Sequence, residues 1–230
     1  MPGPLLEVIA GSAADARAAR DGGADRIELV SRLDADGLTP DWGTVSEVLA
    51  TGVPARVMIR PADVFTVSGP ARESVVQQAR SLGASAAASF VVGYVDGCGE
   101  LDLPLLKEIA KIVARPVTLH RAFDRVRDAK VAYDGISGLP GFDTILTGGG
   151  ADGLGSGGVG ALASWAGWPA GGGPAFLAGG GLEPGHVPTL WAAGIRQFHV
   201  GTAARPSRLG PVEAPRVRVI RDLIDALAGS

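Results

Sequence analysis

The feature that most constrains this chain is an alternation, repeated about eight times in 230 residues, of short apolar runs with helix-like stretches. Runs at residues 5–10, 25–30, 56–60, 86–92, 143–147, 174–178 and 197–200, with another opening at Val117, read as strands. Between them lie predicted helices. Ser12 caps one that runs to Gly22, others cover residues 42–50, 71–82, 103–113, 162–165 and 184–193, and an amphipathic stretch, 217–228, closes the chain with Val219, Ile220, Leu223 and Leu227 on one stripe. Eight such units in one chain without a linker match a (β/α)₈ TIM barrel forming a single α/β domain over residues 1–230. A doubly wound open sheet is the alternative. It calls for a glycine fingerprint after the first strand, and Ala10-Gly11-Ser12 lacks one.

A barrel sorts strand residues into two phases, one filling the interior and one meeting the helices. Leu6, Val8, Ile27, Leu29, Val57, Ile59, Val117, Leu119, Phe198 and Val200 form an apolar, helix-facing phase. The inward phase then holds Glu7, Glu28, Arg60, His120 and His199. An unpaired buried charge is costly, so these five must meet one another, water or a ligand. Active sites of such barrels gather at the C-terminal strand ends, which makes the five, with Arg121 and Asp124 beside His120, candidate catalytic residues. The competing reading is an internal salt-bridge network, Glu7 and Glu28 with Arg26 or Arg60, and a surface pair of Arg121 with Asp124.

Glycines form a second theme. Gly148 and Gly149 follow the sixth strand, Gly179 and Gly180 the seventh, and Gly201 with Thr202 the eighth. Barrels often hold a phosphate on the loops after strands seven and eight, so these six residues are candidate phosphate contacts; tight strand-to-helix turns are the other explanation. The glycine-rich segment 151–160 reads as a mobile loop. A net charge of -3 offers no footprint for nucleic acid or an anionic membrane, and no apolar stretch is long enough to span a bilayer. The single cysteine, Cys98, excludes an internal disulfide and suits the cytoplasm, and the N-terminal residues lack the basic and apolar regions of a signal peptide.

Several strings resemble one family. They are Leu5-Leu6-Glu7-Val8, Gly23-Ala24-Asp25-Arg26-Ile27-Glu28-Leu29, Gly37-Leu38-Thr39-Pro40, Ile59-Arg60-Pro61 and His120-Arg121-Ala122-Phe123-Asp124. Gly93 with Asp96-Gly97, Ile145-Leu146-Thr147 and Leu177-Ala178-Gly179-Gly180-Gly181 extend the likeness over nearly the whole chain. Together they are similar to the CutC (copper homeostasis) family. The resemblance implies a TIM barrel, a cytoplasmic protein, often a homodimer, and a link to copper. Several family members carry cysteines at the ends of strands one and two, where this chain has Val8, Ile9 and Val30. Copper(I) favours thiolate or thioether ligands, and Cys98, Met1 and Met58 are widely separated, so a thiolate site within one subunit is not expected. Cys98 is either a bystander or a partner for its twin across a dimer. After Arg60-Pro61 the family often continues with an arginine and glycines, and here Ala62-Asp63-Val64-Phe65 points to a third loop with different recognition.

Two functional classes follow. One is an enzyme acting on a small anionic substrate, phosphorylated or carboxylated, with Glu7 or Glu28 as base, His120 as acid or electrophile and Arg60 holding the anion. Proton transfer beside a carbonyl, aldol-type cleavage and hydrolysis all suit that set, and two carboxylates with two histidines admit a divalent hard or borderline metal. The other class is a copper-handling or metal-binding protein, against which the absent thiols count.

Overall fold

In the computed structural model, residues 3–84 and 89–229 are described. Eight strands close into a parallel barrel in sequence order: β1 (Leu5–Ala10), β2 (Arg26–Leu29), β3 (Ala55–Met58), β4 (Ser89–Val92), β5 (Val117–Leu119), β6 (Phe142–Thr147), β7 (Ala175–Ala178) and β8 (Gln197–Val200). The helices between them are α1 (Ala13–Asp21), α2 (Trp42–Leu49), α3 (Gly69–Gly83), α4 (Leu103–Val113), α5 (Ala129–Ser137), α6 (Gly158–Trp165), α7 (Val187–Ala192) and α8 (Ala214–Ala228). The expected fourth strand began at Ala86; residues 86–88 lie outside the described ones.

The two strand phases separate as alternation requires. All ten residues assigned to the helix-facing phase are buried in one cluster with the inner faces of the helices. A second, small cluster of Val30, Met58 and Val91, with Ile9 and Leu33 against it, lies on the opposite phase. The helices start where side chains can take up free backbone donors. Ser12 accepts from the Asp15 N–H at 3.1 Å, and Asp41 and Asp102 do the same for α2 and α4.

Two expectations need correction. Val219 is 58% exposed on α8, whose buried stripe is Val217, Ile220 and Ile224. The segment 151–160, expected as a loop throughout, contains a 3₁₀ turn, Leu154–Ser156, and the start of α6 at Gly158. Two of its glycines, Gly153 and Gly158, serve close backbone approach. A Cβ on Gly158 would lie 1.9 Å from the Gly148 carbonyl oxygen, and one on Gly149 2.1 Å from that of Gly158. Glycine allows three backbone segments to pack there without a side chain between them.

Candidate active site

Register brings the polar strand residues together. Glu7 on β1 lies opposite both Arg26 on β2 and His199 on β8. The Arg26 Nε donates to Glu7 Oε2 at 2.5 Å, and His199 Nδ1 bonds Glu7 Oε1 at 2.8 Å. The other ring nitrogen of His199 stands 3.8 Å from Glu28 Oε2. Burial pushes the Glu7 carboxyl up, but Arg26 and His199 outweigh it and hold the group at about 2. Glu28 goes the other way. Burial, reinforced by the charge of Glu7, lifts its carboxyl to about 7 against the pull of His199 and Arg26. Burial opposes protonation of His199, but its bond to Glu7 and the charges of Glu28 and Glu7 prevail and raise it. Glu28 Oε1 is buried and meets no partner among the described residues.

His120, the residue after β5, lines the same cavity as Glu28 and His199. It caps the 3₁₀ turn Arg121–Arg125, its Nδ1 accepting the Ala122 N–H at 3.0 Å. Burial first, then the charges of Arg60 and Arg121, depress its imidazole to about 3, so the ring is neutral at pH 7. With Nδ1 accepting, the proton of the neutral ring sits on Nε2, which is buried and unpartnered. Gly93 makes room for this ring, since a Cβ there would come within 2.5 Å of Nδ1. Phe65 from the loop after β3 meets the imidazole edge to face, centroids 5.6 Å apart.

The remaining expected residues divide. Arg60 lines the same cavity as Glu28, His120 and His199, but its guanidinium is largely committed. It donates to the Ala35 and Gly37 carbonyls at 2.9 and 3.1 Å and pairs with Asp63, leaving only Nε without a partner. It therefore braces the loop after β2 rather than standing free for an anion. Asp124 does not line the cavity. It is buried and accepts from the Thr147 hydroxyl at 2.5 Å, the Gly148 N–H and Arg121 Nε, so its work is to tie the loops after β5 and β6 together. Glu7 likewise sits behind Glu28 and His199, outside the lining. Arg121 lines the cavity while paired with Asp124.

The phosphate reading divides too. The N–H groups of Gly148, Gly149 and Gly179 are spent on Asp124, the Thr147 hydroxyl and the Thr147 carbonyl. Those three glycines are packing residues, not anion contacts. Gly180, Gly201 and Thr202 do line the cavity, and their N–H groups, with those of Gly181 and Leu182, donate to no acceptor among the described residues.

The cavity holds about 190 Å³ at the C-terminal ends of the strands. Its lining mixes polar side chains, Glu28, His199 and His120 among them, with the apolar Ile9, Met58 and Leu146. Sequence reasoning missed Arg125, Arg205 and Arg208 at this mouth, although each sits in a loop after β5 or β8. Phe65 lay in the third-loop string that departs from the family, and it is a wall residue here. Copper fits the donor set poorly. Cys98 is exposed, and among the described residues no three His, Cys, Asp or Glu side chains are grouped to hold a metal ion. No helix among the described residues is long and apolar enough to cross a membrane.

Comparisons with known proteins agree with this architecture. A family protein CutC of Xanthomonas campestris pv. campestris (strain 8004) is 36% identical over 217 residues, 91% of this chain and 85% of the relative. One from Klebsiella pneumoniae (strain 342) is 33% identical over 201 residues, 85% of this chain and 78% of the relative. A shorter match, 36% over 149 residues, takes in 64% of this chain and 59% of the Agrobacterium fabrum relative. Among solved structures, a protein assigned as copper homeostasis protein CutC from Streptococcus agalactiae superposes with a TM-score of 0.77 at 21% identity, over 85% of this chain and 97% of that one. A structure described as native KDPGal shares the fold with a TM-score of 0.64 at 15% identity, over 100% of this chain and 98% of its own. The CutC family profile matches residues 4–204, so with the eight-stranded barrel and these relatives this chain belongs to the CutC family.

Proposed function

We propose that this chain is an acid–base enzyme acting on a small anionic carbonyl compound, with Glu28 taking and returning a proton and His120 serving the oxygen that gains charge. One observation carries the reading. Glu28 Oε1 and His120 Nε2 belong to buried side chains in the wall of one cavity and, like the Nε atoms of Arg60 and Arg205 there, lack a partner among the described residues. Buried polar atoms are nearly always bonded, so an unpartnered acceptor, Glu28, and unpartnered donors, His120 among them, in one cavity suit a ligand that bonds them.

The chemistry follows from their environments. A carboxyl held near 7 is matched to proton transfer at neutral pH. Ionised Glu28 removes a proton from carbon beside the carbonyl. The C–H electron pair becomes the new C=C bond, and the carbonyl π pair moves to oxygen. His120, neutral and donating from Nε2, hydrogen-bonds that oxygen without surrendering its proton. Protonated Glu28 then returns its proton to carbon. His199, fixed by Glu7, keeps positive charge near Glu28 and limits how far its carboxyl rises. An imine route has no amine: the chain's three lysines are Lys107 and Lys111 on α4 and Lys130 on α5, and none lines the cavity. The loop amides of Gly180–Leu182 and Gly201–Thr202, together with the cavity arginines, suit an anionic group on the substrate.

The test is deuterium uptake from D₂O, followed by ¹H NMR, into a panel of small 2-oxo acids and phosphorylated ketoses. The parent chain is expected to speed exchange beside the carbonyl in at least one compound, and Glu28→Gln to lower that rate by about 100-fold or more. No exchange anywhere in the panel, or equal exchange by Glu28→Gln, would sink the reading.

A further inference from the structure

Five guanidinium groups line the cavity, and four have polar partners within the chain. Arg60 is held by Ala35, Gly37 and Asp63, and Arg121 by Asp124. Arg205 donates to the Ile9 and Gly210 carbonyls, both at 2.6 Å, and Arg208 pairs with Asp36 at 3.0 Å. Arg125 is different. Among the described residues it meets no carboxylate or carbonyl, and its recorded contact is with the Phe65 ring, 5.4 Å from Cζ to centroid. An exposed arginine alone is usually just solvated. Here the same Phe65 ring packs against His120, whose buried Nε2 has no partner. The Arg60 guanidinium also stands over that phenyl ring, 4.5 Å from its centroid, so the ring joins one committed cation to Arg125 and His120, a cation and a neutral donor unpartnered among the described residues, and all three line the cavity that holds Glu28.

Resting on the acid–base reading above, we infer that the substrate is a 2-oxo acid whose carboxylate is taken by Arg125 and whose keto oxygen is taken by His120. A carboxylate joined to a ketone offers one group to a cation and one to a neutral donor. A guanidinium matches a carboxylate with two parallel N–H bonds. The keto oxygen, on which charge develops during reaction, accepts the Nε2–H of the neutral His120 ring. With those two atoms held, C3 is the carbon left to face Glu28. A short hydrocarbon tail beyond C3 is accommodated by the apolar part of the lining, to which Met58 and Ile9 belong. The step is enolisation: Glu28 accepts the C3 proton, C2=C3 forms, and the electron pair of the keto π bond rests on oxygen against the His120 Nε2–H. Nothing is oxidised or reduced, and no co-reactant is needed.

The probes are 2-oxobutyrate and butanone, alike except that butanone carries a methyl group in place of the carboxylate. Exchange of the methylene protons with D₂O is followed by ¹H NMR, and kcat/KM is compared between them. The parent is expected to favour 2-oxobutyrate, and Arg125→Met to cut kcat/KM for 2-oxobutyrate by about ten- to a hundredfold, chiefly through KM. Arg125→Lys should recover part of the loss. Arg125 is exposed and has no polar partner to orphan, so its variants are expected to melt like the parent. A parent that exchanges 2-oxobutyrate no faster than buffer, or no better than butanone, overturns the assignment, as does an Arg125→Met variant with unchanged selectivity. Exchange of phosphorylated ketoses that depends on Glu28, with none of 2-oxobutyrate, would keep the acid–base reading and discard the 2-oxo acid.

Discussion

Glu28 carries the sharpest consequence of single residues. Its carboxyl is lifted from the ordinary 4.5 to about 7, chiefly by burial, so the folded chain holds this proton more tightly than the unfolded one. The stability it contributes is therefore complete below about pH 4.5 and is lost as pH rises toward 7, where the folded group finally ionises. At about 1.4 kcal/mol per pH unit, the loss across that window is on the order of 3 kcal/mol. His199, raised by Glu7 and Glu28, drifts in the same direction as it deprotonates, so the discriminating quantity is the difference between parent and variant. Glu28→Gln cannot titrate. Urea melts at pH 5 and pH 8 should show the variant gaining on the parent by about 3 kcal/mol between those values. Equal pH dependence in both proteins would mean that Glu28 titrates in the folded chain as it does in water. Glu7 belongs to a different window. Its depressed carboxyl adds stability above about pH 4.5 and loses it as pH falls toward 2, below the range of this comparison.

At the scale of elements, the strands were legible and the loops were not. Alternation alone put Leu6, Val8 and their counterparts outward and Glu7, Glu28, His120 and His199 inward, because a side-chain period of two follows from backbone geometry. The roles within the inward set depend on contacts from residues far apart in sequence. Arg60 is the clearest case: nothing in Ile59-Arg60-Pro61 says that its guanidinium will reach back to Ala35 and Gly37. Asp124 likewise looked chemical beside His120 and turns out to hold Thr147 and Gly148. The loop that Arg60 braces is held in costly backbone, with Arg32 at φ 49° and Asp36 at φ 55°, both left-handed and neither a glycine. Arg60→Met removes two bonds to its carbonyls and the ion pair to Asp63. The expected cost is about 2–4 kcal/mol, from carbonyls left without their charged donor and a strained loop left without its brace. Limited proteolysis should then cut within residues 31–40 before the barrel unfolds. A variant that melts like the parent and resists cleavage there would return Arg60 to the role of a free anion receptor.

The whole molecule bears on the word copper, which is attached to the family and to the Streptococcus agalactiae structure. A closed barrel fixes which side chains can converge, since only residues at one end of the strands reach a common point. At that end this chain gathers carboxylates, imidazoles and guanidiniums, whereas Cu(I) selects soft sulfur ligands. The one cavity thioether, Met58, sits in an apolar cluster with Val30 and Val91, and the thiol of Cys98 is exposed in the loop between β4 and α4. Both imidazoles at the mouth already have Nδ1 engaged, His199 with Glu7 and His120 with the Ala122 N–H. A cluster of cations around the mouth further disfavours a metal cation there. The expectation is that a Cu(I) chelator of nanomolar strength keeps its metal when titrated with the parent chain under reducing conditions, and that Cys98→Ser changes nothing. Stoichiometric transfer of copper to the parent, lost in Cys98→Ser, would show instead that two chains meet through Cys98 to build a site that neither has alone. Transfer lost in His120→Asn but kept in Cys98→Ser would place the metal in the barrel mouth and displace the acid–base reading.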